Sequence, residues 1–399
     1  ALITRILTDT TNGMPYMINS QNGLYTTVLR GVQNGKPVEE FRKITSVKGC
    51  INPYSDFESY IKQAENPDLR FIISNTTEAG IAYHEGDKLS DKPQVSYPGK
   101  VCAFLYSRYK AFSGAEDKGI IFIPCELIDK NGDNLKRIVL QYAKEWNLEE
   151  GFISWVENAC DFCNSLVDRI VPGYPRAEAD SICERLDSAE IFLLWVIECH
   201  KKSHEDELPT SKAGVNVIWT DDMSFYRTRK VRILNGAHTM SVLAAYQTGL
   251  NTVEECIKSD VIFPMMKRGI FEEIIPSMDG DKDQLVQYAN DVLERFANPY
   301  IVHQVLSISL NSVSKFKTRD LPSLLSYYEK KHELPAVLSL SLAALISFYN
   351  GVETDGTALK GKRGDEEYLI KDSPEVLKVF ADLYKADYCC AAKKSEKLA

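Results

Sequence analysis

Short apolar runs alternate with amphipathic stretches over the first 150 residues, and this alternation restricts the possible folds more than any other feature of the sequence. Strands that alternate with helices build a largely parallel sheet. RFIIS (70–74) and IIFIP (120–124) are continuously apolar, which is typical of strands covered on both faces. The predicted strands lie at 2–7, 23–31, 70–76 and 119–127, and the predicted helices lie at 55–66 and 98–112.

Helical periodicity dominates the chain from about residue 135. It predicts helices over 133–148 and 151–171, one further strand over 214–222, and an almost entirely helical chain after residue 230. The polar, glycine-rich segment 351–369 is predicted to be a loop. We therefore expect an N-terminal α/β domain over residues 1–212 and a mostly α-helical C-terminal domain over residues 213–399.

The composition of the chain restricts the kinds of molecule that it is expected to bind. The 399-residue chain carries a net charge of −9, which argues against nucleic acid because a phosphate backbone needs a basic face. A small anionic substrate stays compatible with a local basic pocket. No apolar run reaches the roughly 20 residues of a membrane helix, so no membrane partner is expected. Ten scattered cysteines favour reduced thiols and a cytoplasmic location.

The signal for a bound metal is weak. CDFC (160–163) is a C-x-x-C without a second pair at metal spacing, and the six histidines are scattered. The pair lies on a predicted helix beside aromatic residues, so buried cysteines are favoured over zinc ligands. We predict no metal.

KVRILNGAH (230–238) places three polar residues in an apolar setting. On an α-helix Lys230 and Asn235 would lie roughly 140° apart, with His238 between them at roughly 80° from Lys230. A desolvated lysine can act as a general acid or base, an asparagine amide can stabilise charge on an oxygen, and a histidine can orient either group. A surface helix with scattered polar residues is the alternative, and spacing alone favours it.

Polar residues follow two of the predicted strands, where parallel sheets bind ligands. SNTTEAGI (74–81) supplies candidate cofactor contacts from Asn75, Thr76, Thr77 and Glu78, and Cys125 follows the next strand. The alternative for the first segment is a helix start, with a threonine as the cap. For IPCELIDKNG (123–132), ordinary turn chemistry is preferred.

Asp168 and Arg169 lie together inside the apolar stretch NSLVDRIVPGYPR (164–176). An adjacent Asp–Arg pair is usually structural, but this pair is a candidate for holding an anionic substrate. No phosphate-cradling glycine motif, G-x-G-x-x-G or G-x-x-x-x-G-K-[ST], occurs in the sequence.

Several segments together resemble the long-chain polyol and mannitol dehydrogenases. The motifs are K-x-x-x-x-N-x-x-H, T-E-x-G, and C-E-L-x-x-x-N-G followed by L-V-D-R-I-V-P, and the resemblance runs from about residue 5 to 350. It implies a Rossmann-type N-terminal domain, a mostly helical C-terminal domain and zinc-independent hydride transfer with NAD. It also implies that Lys230 is the general acid/base, that Asn235 stabilises the substrate oxygen and that His238 fixes the substrate.

The sequence departs from that family pattern at three places. The family opens with a strand and a G-x-G-x-[FL]-x-R turn, and we expect both to be missing here, either because the sequence omits them or because the protein lacks its phosphate site. Leu127 stands where polyol-acting relatives have an asparagine, and Arg227 stands where mannitol-acting relatives have a glutamate. Arg227 would lower the pKa of Lys230 further and attract a carboxylate.

These departures favour a sugar acid as the substrate. The candidate carboxylate partners are Arg227, Arg169, Lys315 and Arg319, which the sequence does not rank. The expected partner is this small molecule alone, with the chain a monomer or weak oligomer. The alternative from another class is a non-catalytic sugar-acid-binding relative.

Asp9 is a weaker candidate for a ribose contact, because a turn aspartate is favoured there.

Overall fold

The computed structural model describes residues 2–4, 18–77, 79–172, 186–353 and 357–385. Two predicted cofactor contacts, Glu78 and Asp9, lie outside these residues. The chain divides into two compact units. Unit 1 comprises Ala1–Leu29 and Glu39–Ser224, and unit 2 comprises Arg30–Val38 and Phe225–Ala399.

Unit 1 is built around parallel strands. Strands β1, β4, β5 and β6 form one sheet in that order, and every neighbouring pair is parallel. A second sheet has the order β10-β9-β7, with β9 parallel to β10 and antiparallel to β7. A third has the order β3-β2-β8, and the residues of β2 and β3 that fall within Arg30–Val38 are assigned to unit 2. The strands of the three sheets are β1 (Leu2–Thr4), β2 (Tyr25–Gln33), β3 (Lys36–Ile44), β4 (Leu69–Ser74), β5 (Ile121–Pro124), β6 (Asp161–Phe162), β7 (Asn164–Asp168), β8 (Leu186–Glu190), β9 (Leu194–Glu198) and β10 (Val217–Thr220).

Both faces of β4 and β5 are covered, as their apolar sequences predict. Ile72 and Phe122 pack in a large core with residues of the surrounding helices. Phe71, Ile121 and Ile123, which point to the opposite face, pack with Ile197 of β9. The helices of unit 1 are α1 (Phe57–Lys62), α2 (Tyr97–Ala111), α3 (Asn131–Glu145), α4 (Glu150–Asn158) and α5 (Lys202–Glu207).

The predicted helix over 151–171 is wrong beyond its first half. Helix α4 ends at Asn158, and β6 and β7 follow it. Residues 163–166 are all buried, so this run has no exposed face to mark its period. A continuously buried apolar run does not distinguish a strand from a helix by periodicity. Here β6 pairs with β5 and β7 pairs with β9, so both segments are strands.

Unit 2 is mostly helical, as predicted. Its central helix, α7, is almost completely buried and packs against α9, α12, α13 and α15. The helices are α6 (Ser224–Arg229), α7 (Gly236–Gln247), α8 (Val253–Lys258), α9 (Ile262–Arg268), α10 (Ile275–Ser277), α11 (Lys282–Phe296), α12 (Val305–Ile308), α13 (Ser312–Arg319), α14 (Leu321–Lys331), α15 (Ala336–Phe348) and α16 (Pro374–Lys385). Two π-helical segments, Lys230–Asn235 and Gly269–Ile274, connect α6 to α7 and α9 to α10.

The predicted loop at 351–369 is also wrong. An antiparallel sheet occupies most of it, formed by β11 (Gly351–Glu353), β12 (Leu359–Arg363) and β13 (Glu366–Ile370). Leu359, Tyr368 and Ile370 are buried, whereas the intervening side chains are mostly exposed. In the described ranges no helix combines the length and apolar character required to cross a bilayer.

Candidate functional site

The predicted catalytic segment lies at a change of helical period. Helix α6 runs directly into the π-helical segment Lys230–Asn235, and α7 begins at Gly236. The backbone N–H of Gly236 donates to the carbonyl of Val231, five residues earlier, as well as to that of Ile233. Such π turns inside α-helices are rare and are found frequently at functional sites.

The π turn changes the expected arrangement of the three polar residues. Because its hydrogen bonds join residues five apart, the π turn brings Asn235 closer to the side of the helix that carries Lys230 than an α-helix would. His238 follows Asn235 by three residues in α7, so it is a neighbour on the same side. The α-helical separation of roughly 140° between Lys230 and Asn235 is therefore wrong, and the observed backbone aligns the three positions more closely.

His238 is a buried imidazole in a strongly cationic setting. Its ring lies 4.1 Å from the Phe296 ring centroid and 5.2 Å from that of His303. Its Nδ1 is buried and has no hydrogen-bond partner among the described residues. Burial lowers the pKa of His238 well below its usual value, and the neighbouring His303 and the cations Arg319, Arg295 and Lys315 lower it further. The imidazole is therefore neutral at physiological pH.

Three half-buried cations from two helices face this histidine. Arg295 lies in the last turn of α11, and Lys315 and Arg319 lie one turn apart on α13. The guanidinium of Arg319 donates to Oγ1 of Thr239 over 3.2 Å, and Nζ of Lys315 donates to the carbonyl of Ile308 over 2.8 Å. We call Arg295, Lys315 and Arg319 the cation cluster. Lys315 and Arg319 are among the carboxylate partners predicted from the sequence, whereas Arg295 is not.

The other predicted substrate contacts are distributed over both units. Arg227 lies on α6, three residues before Lys230. Asp168 is buried at the end of β7, and Arg169 follows it in unit 1. Nε of Arg169 donates to the backbone carbonyl of Glu190 over 2.9 Å, and burial lowers the pKa of its guanidinium. Their roles in substrate binding stay predictions.

The carboxyl ends of β4 and β5 are tied together by a buried glutamate. Oε1 of Glu126 accepts hydrogen bonds from the backbone N–H of Thr76 over 3.0 Å and from its hydroxyl over 2.8 Å. Oε2 accepts from the hydroxyl of Ser74 over 3.0 Å. Gly80 packs on Thr76, where a Cβ would lie 1.9 Å from Oγ1. Thr76 therefore binds Glu126 and helps to hold the two strand ends together, a role that its sequence did not predict.

Two predicted cofactor contacts remain exposed at this edge of the sheet. Asn75 and Thr77 flank the anchored Thr76 and are both exposed. Cys125 follows β5, and its backbone N–H donates to the carbonyl of Ser74 over 2.7 Å. These amide, hydroxyl and thiol groups suit the ribose and carboxamide groups of a dinucleotide. In the described part of the chain, His, Cys, Asp and Glu do not gather in threes suited to a metal ion.

Comparison with known proteins identifies the family. Residues 4–210 match the mannitol dehydrogenase Rossmann domain, and residues 222–387 match the mannitol dehydrogenase C-terminal domain. Over 378 residues the chain is 47% identical to the altronate oxidoreductase of Escherichia coli O7:K1 (strain IAI39 / ExPEC). That match covers 93% of this chain and 76% of the relative.

Two solved structures share the fold. A D-sorbitol dehydrogenase in substrate-free form has a TM-score of 0.75 at 21% identity, covering 88% of this chain and 74% of that one. The Pseudomonas fluorescens mannitol 2-dehydrogenase ternary complex with NAD and D-mannitol has a TM-score of 0.63 at 20% identity, covering 93% and 75%. At these identities the likeness is evidence for the fold alone.

The parallel sheet of unit 1, the helical unit 2 and these matches define an oxidoreductase with a Rossmann domain and a mostly helical C-terminal domain. The chain belongs to the mannitol dehydrogenase family. This confirms the family and the fold class predicted from the sequence motifs.

Proposed function

We propose that this oxidoreductase uses NADH to reduce the keto group of tagaturonate, giving altronate. Its 47% identity to an altronate oxidoreductase supports altronate as the product. The observation that carries the proposal is the cation cluster, because its three basic side chains lie near buried His238 and one of them, Arg319, donates to the adjacent Thr239. A carboxylate-bearing ketose suits that charge, whereas a neutral polyol does not need it.

Each catalytic residue has one role in this reduction. NADH, when bound, supplies a hydride to the keto carbon. The ammonium of Lys230 gives a proton to the keto oxygen as the carbonyl becomes a hydroxyl, and it takes that proton back in the reverse reaction. The amide of Asn235 donates a hydrogen bond to the same oxygen, where negative charge develops. His238, neutral and buried, orients a neighbouring substrate hydroxyl.

The substrate carboxylate binds the cation cluster in this proposal. Arginine presents two parallel N–H donors that match a carboxylate, so Arg319 and Arg295 are the preferred partners and Lys315 adds charge. Asp168, Arg169 and Arg227 stay candidate substrate contacts. Asn75, Thr76, Thr77, Glu78 and Cys125 are the proposed cofactor contacts. A monomeric or weakly oligomeric state, a cytoplasmic location and the lack of a metal also stay predictions.

Substrate turnover tests the proposal. We expect NADH oxidation with tagaturonate, and at least about 100-fold lower kcat with Lys230→Ala, since a positioned acid/base contributes about 10²–10⁴. Arg319→Gln should raise KM for tagaturonate far more than KM for neutral fructose. Lys317→Ala, which removes an exposed lysine from the same helix, is the matched control and should change neither value.

Other outcomes would select an alternative. Faster turnover of fructuronate would make the chain a fructuronate reductase, and faster turnover of fructose would make it a mannitol or polyol 2-dehydrogenase. Near-normal turnover by Lys230→Ala would contradict the assigned acid/base. If the full-length protein binds the sugar acid but neither binds nor oxidises NADH, a non-catalytic sugar-acid-binding role would replace the proposal.

A further inference from the structure

Two cysteines far apart in the sequence are opposite one another in unit 1. The antiparallel pairing of β7 and β9 runs from Asp168 opposite Leu194 to Asn164 opposite Glu198. One step further along the same register places Cys163 opposite Cys199. Opposite residues of an antiparallel pair have Cα atoms about 4.5 or 5.5 Å apart, within the range of about 4.4–6.8 Å found for disulfides.

Cys163 and Cys199 belong to the same packed cluster, and only one of them is shielded. Cys163 is buried in that cluster, whereas Cys199 packs against it and is partly exposed. The backbone N–H of Lys201 lies 3.5 Å from Sγ of Cys199 and donates to it. Cys199 is therefore the accessible member of the pair.

The charged groups around Cys199 are themselves paired. Asp161 accepts from Nζ of Lys201 and lies 2.8 Å from Nε2 of His204. The neighbouring Cys163 lowers the pKa of Cys199, with further lowering from the Lys201 backbone and from His204, while burial and Asp161 oppose them. A lowered pKa increases the fraction of Cys199 that is thiolate, the nucleophilic form of cysteine.

We propose that Cys163 and Cys199 form a peroxide-sensitive dithiol that closes reversibly to a cross-strand disulfide. The Cys199 thiolate attacks hydrogen peroxide, forming a sulfenic acid and releasing hydroxide. The Cys163 sulfur then attacks that sulfenic sulfur, forming the S–S bond and, with its thiol proton, releasing water. Overall, two thiols and one peroxide give one disulfide and two waters. A dithiol reductant reverses the reaction by exchange.

The neighbouring hydrogen bonds allow closure without unfolding. Nδ2 of Asn164 donates to Oε1 of Glu198 over 2.9 Å, one residue inside the cysteine pair. Oδ1 of Asn164 accepts from the backbone N–H groups of Gly132 and Asp133, and Oε2 of Glu198 accepts from that of Met223. Because both strands are fixed next to the cysteines, the disulfide forms between positions that already face each other.

Cys160, the other cysteine of the C-x-x-C, is the alternative partner for Cys163. Cys160 is buried, and burial raises its pKa to about 12. It lacks the thiolate character needed to react first with peroxide. The structure therefore assigns Cys199, which lies outside the C-x-x-C, as the partner of Cys163.

Mass spectrometry tests the proposal. The full chain is treated with mild hydrogen peroxide, and its remaining thiols are then blocked before digestion. We expect a peptide pair linked through Cys163 and Cys199, lighter by two hydrogen atoms and released by dithiothreitol. Cys199→Ser should abolish the link, and Cys163→Ala should leave Cys199 oxidised to its sulfenic or sulfinic acid. Cys160→Ser, the matched control, should keep the link. A Cys160–Cys163 link, or one joining two chains through Cys199, would overturn it.

Alkylation rates give a second test that does not depend on disulfide chemistry. The iodoacetamide rate at Cys199 should reach its midpoint at a lower pH than the rate at Cys50, because its surroundings lower the pKa of Cys199. Cys163→Ala removes the neighbouring thiol and should move that midpoint upward. If Cys199 reacts no faster at pH 7 than Cys50, another partly exposed cysteine of this unit, the proposed thiolate is wrong. Neither test depends on the proposed substrate.

Discussion

Asp320 is a buried carboxyl beside the start of α7. It is fully buried, and neither of its carboxyl oxygens has a hydrogen-bond partner among the residues that the structure describes. A Cβ on Gly236, the first residue after the π turn, would lie 2.9 Å from Oδ1 of Asp320. Gly236 therefore permits the close approach of Asp320 to the helix that carries Lys230, Asn235 and His238.

The pH dependence of stability should reveal this carboxyl. Burial raises the pKa of Asp320 well above its usual value, while the nearby Arg319 opposes that shift only in part. The folded state therefore retains a proton that the unfolded chain releases above pH about 3.9. Asp320 thus costs stability increasingly as the pH rises from that value toward the folded pKa.

We expect Asp320→Asn to melt at a higher temperature than the wild type at pH 8, with the difference shrinking toward pH 5. Thermal melts across this range measure it. Asp365→Asn, at an exposed aspartate on the turn between β12 and β13, is the matched control and should track the wild type. A constant difference at every pH would show that Asp320 does not hold a proton in the folded state.

At the scale of elements, Glu126 joins the ends of β4 and β5 and fixes the segment that carries Asn75 and Thr77. Glu126→Ala leaves the Thr76 N–H and the buried Ser74 hydroxyl without their acceptor. We expect a loss of about 1–3 kcal/mol in the free energy of unfolding and weaker NADH binding, measured by denaturation and fluorescence titration.

Two variants of the same loop distinguish the loss of the Glu126 hydrogen bonds from a general disturbance of the loop. Glu126→Gln keeps an acceptor oxygen for Thr76 and should lose less stability and less NADH affinity than Glu126→Ala. Leu127→Ala, at a side chain that is 58% exposed, should stay within about 0.5 kcal/mol of the wild type. Unchanged NADH affinity in Glu126→Ala, despite lost stability, would contradict cofactor binding by this segment.

The elements that sequence reasoning predicted correctly carry strong local signals. The continuous apolar runs of β4 and β5, the largely buried helix α2 and the amphipathic helix α3 appear where the sequence predicts them. Sequence reasoning failed at β6, which has only two residues, and at β7, where burial of nearly every residue hides the period. It also failed at β12 and β13, where only alternate residues such as Leu359 are buried. Tertiary pairing determines both regions, and a local pattern does not contain it.

The candidate site was predictable in its residues but not in its geometry. Lys230, Asn235 and His238 are marked by their apolar neighbours and by the family motif. The π turn that aligns them has no sequence signature, because it depends on how α6 and α7 pack within unit 2. Arg295 was missed for a similar reason, since only the tertiary fold brings α11 and α13 to the same histidine.

At the scale of the whole molecule, a chain of net charge −9 concentrates Arg295, Lys315 and Arg319 around His238. The overall charge repels an anionic substrate at long range, whereas the cation cluster attracts it at short range. Salt weakens both effects, so screening the repulsion would favour substrate binding, whereas screening the attraction would oppose it. The short-range attraction should dominate, because charges beyond a Debye length of about 10 Å at 0.1 M ionic strength are largely screened.

This balance predicts how salt affects each substrate under the proposed function. Raising the ionic strength from about 0.01 M to about 1 M shortens the Debye length from about 30 Å to about 3 Å, which weakens the attraction of the cation cluster. At saturating NADH, we expect KM for tagaturonate to rise several-fold over this range, while KM for fructose stays constant. Arg319→Gln should flatten the rise, and Lys317→Ala, from the exposed side of the same helix, should preserve it. An equal rise for both ketoses would place the substrate carboxylate away from the cation cluster.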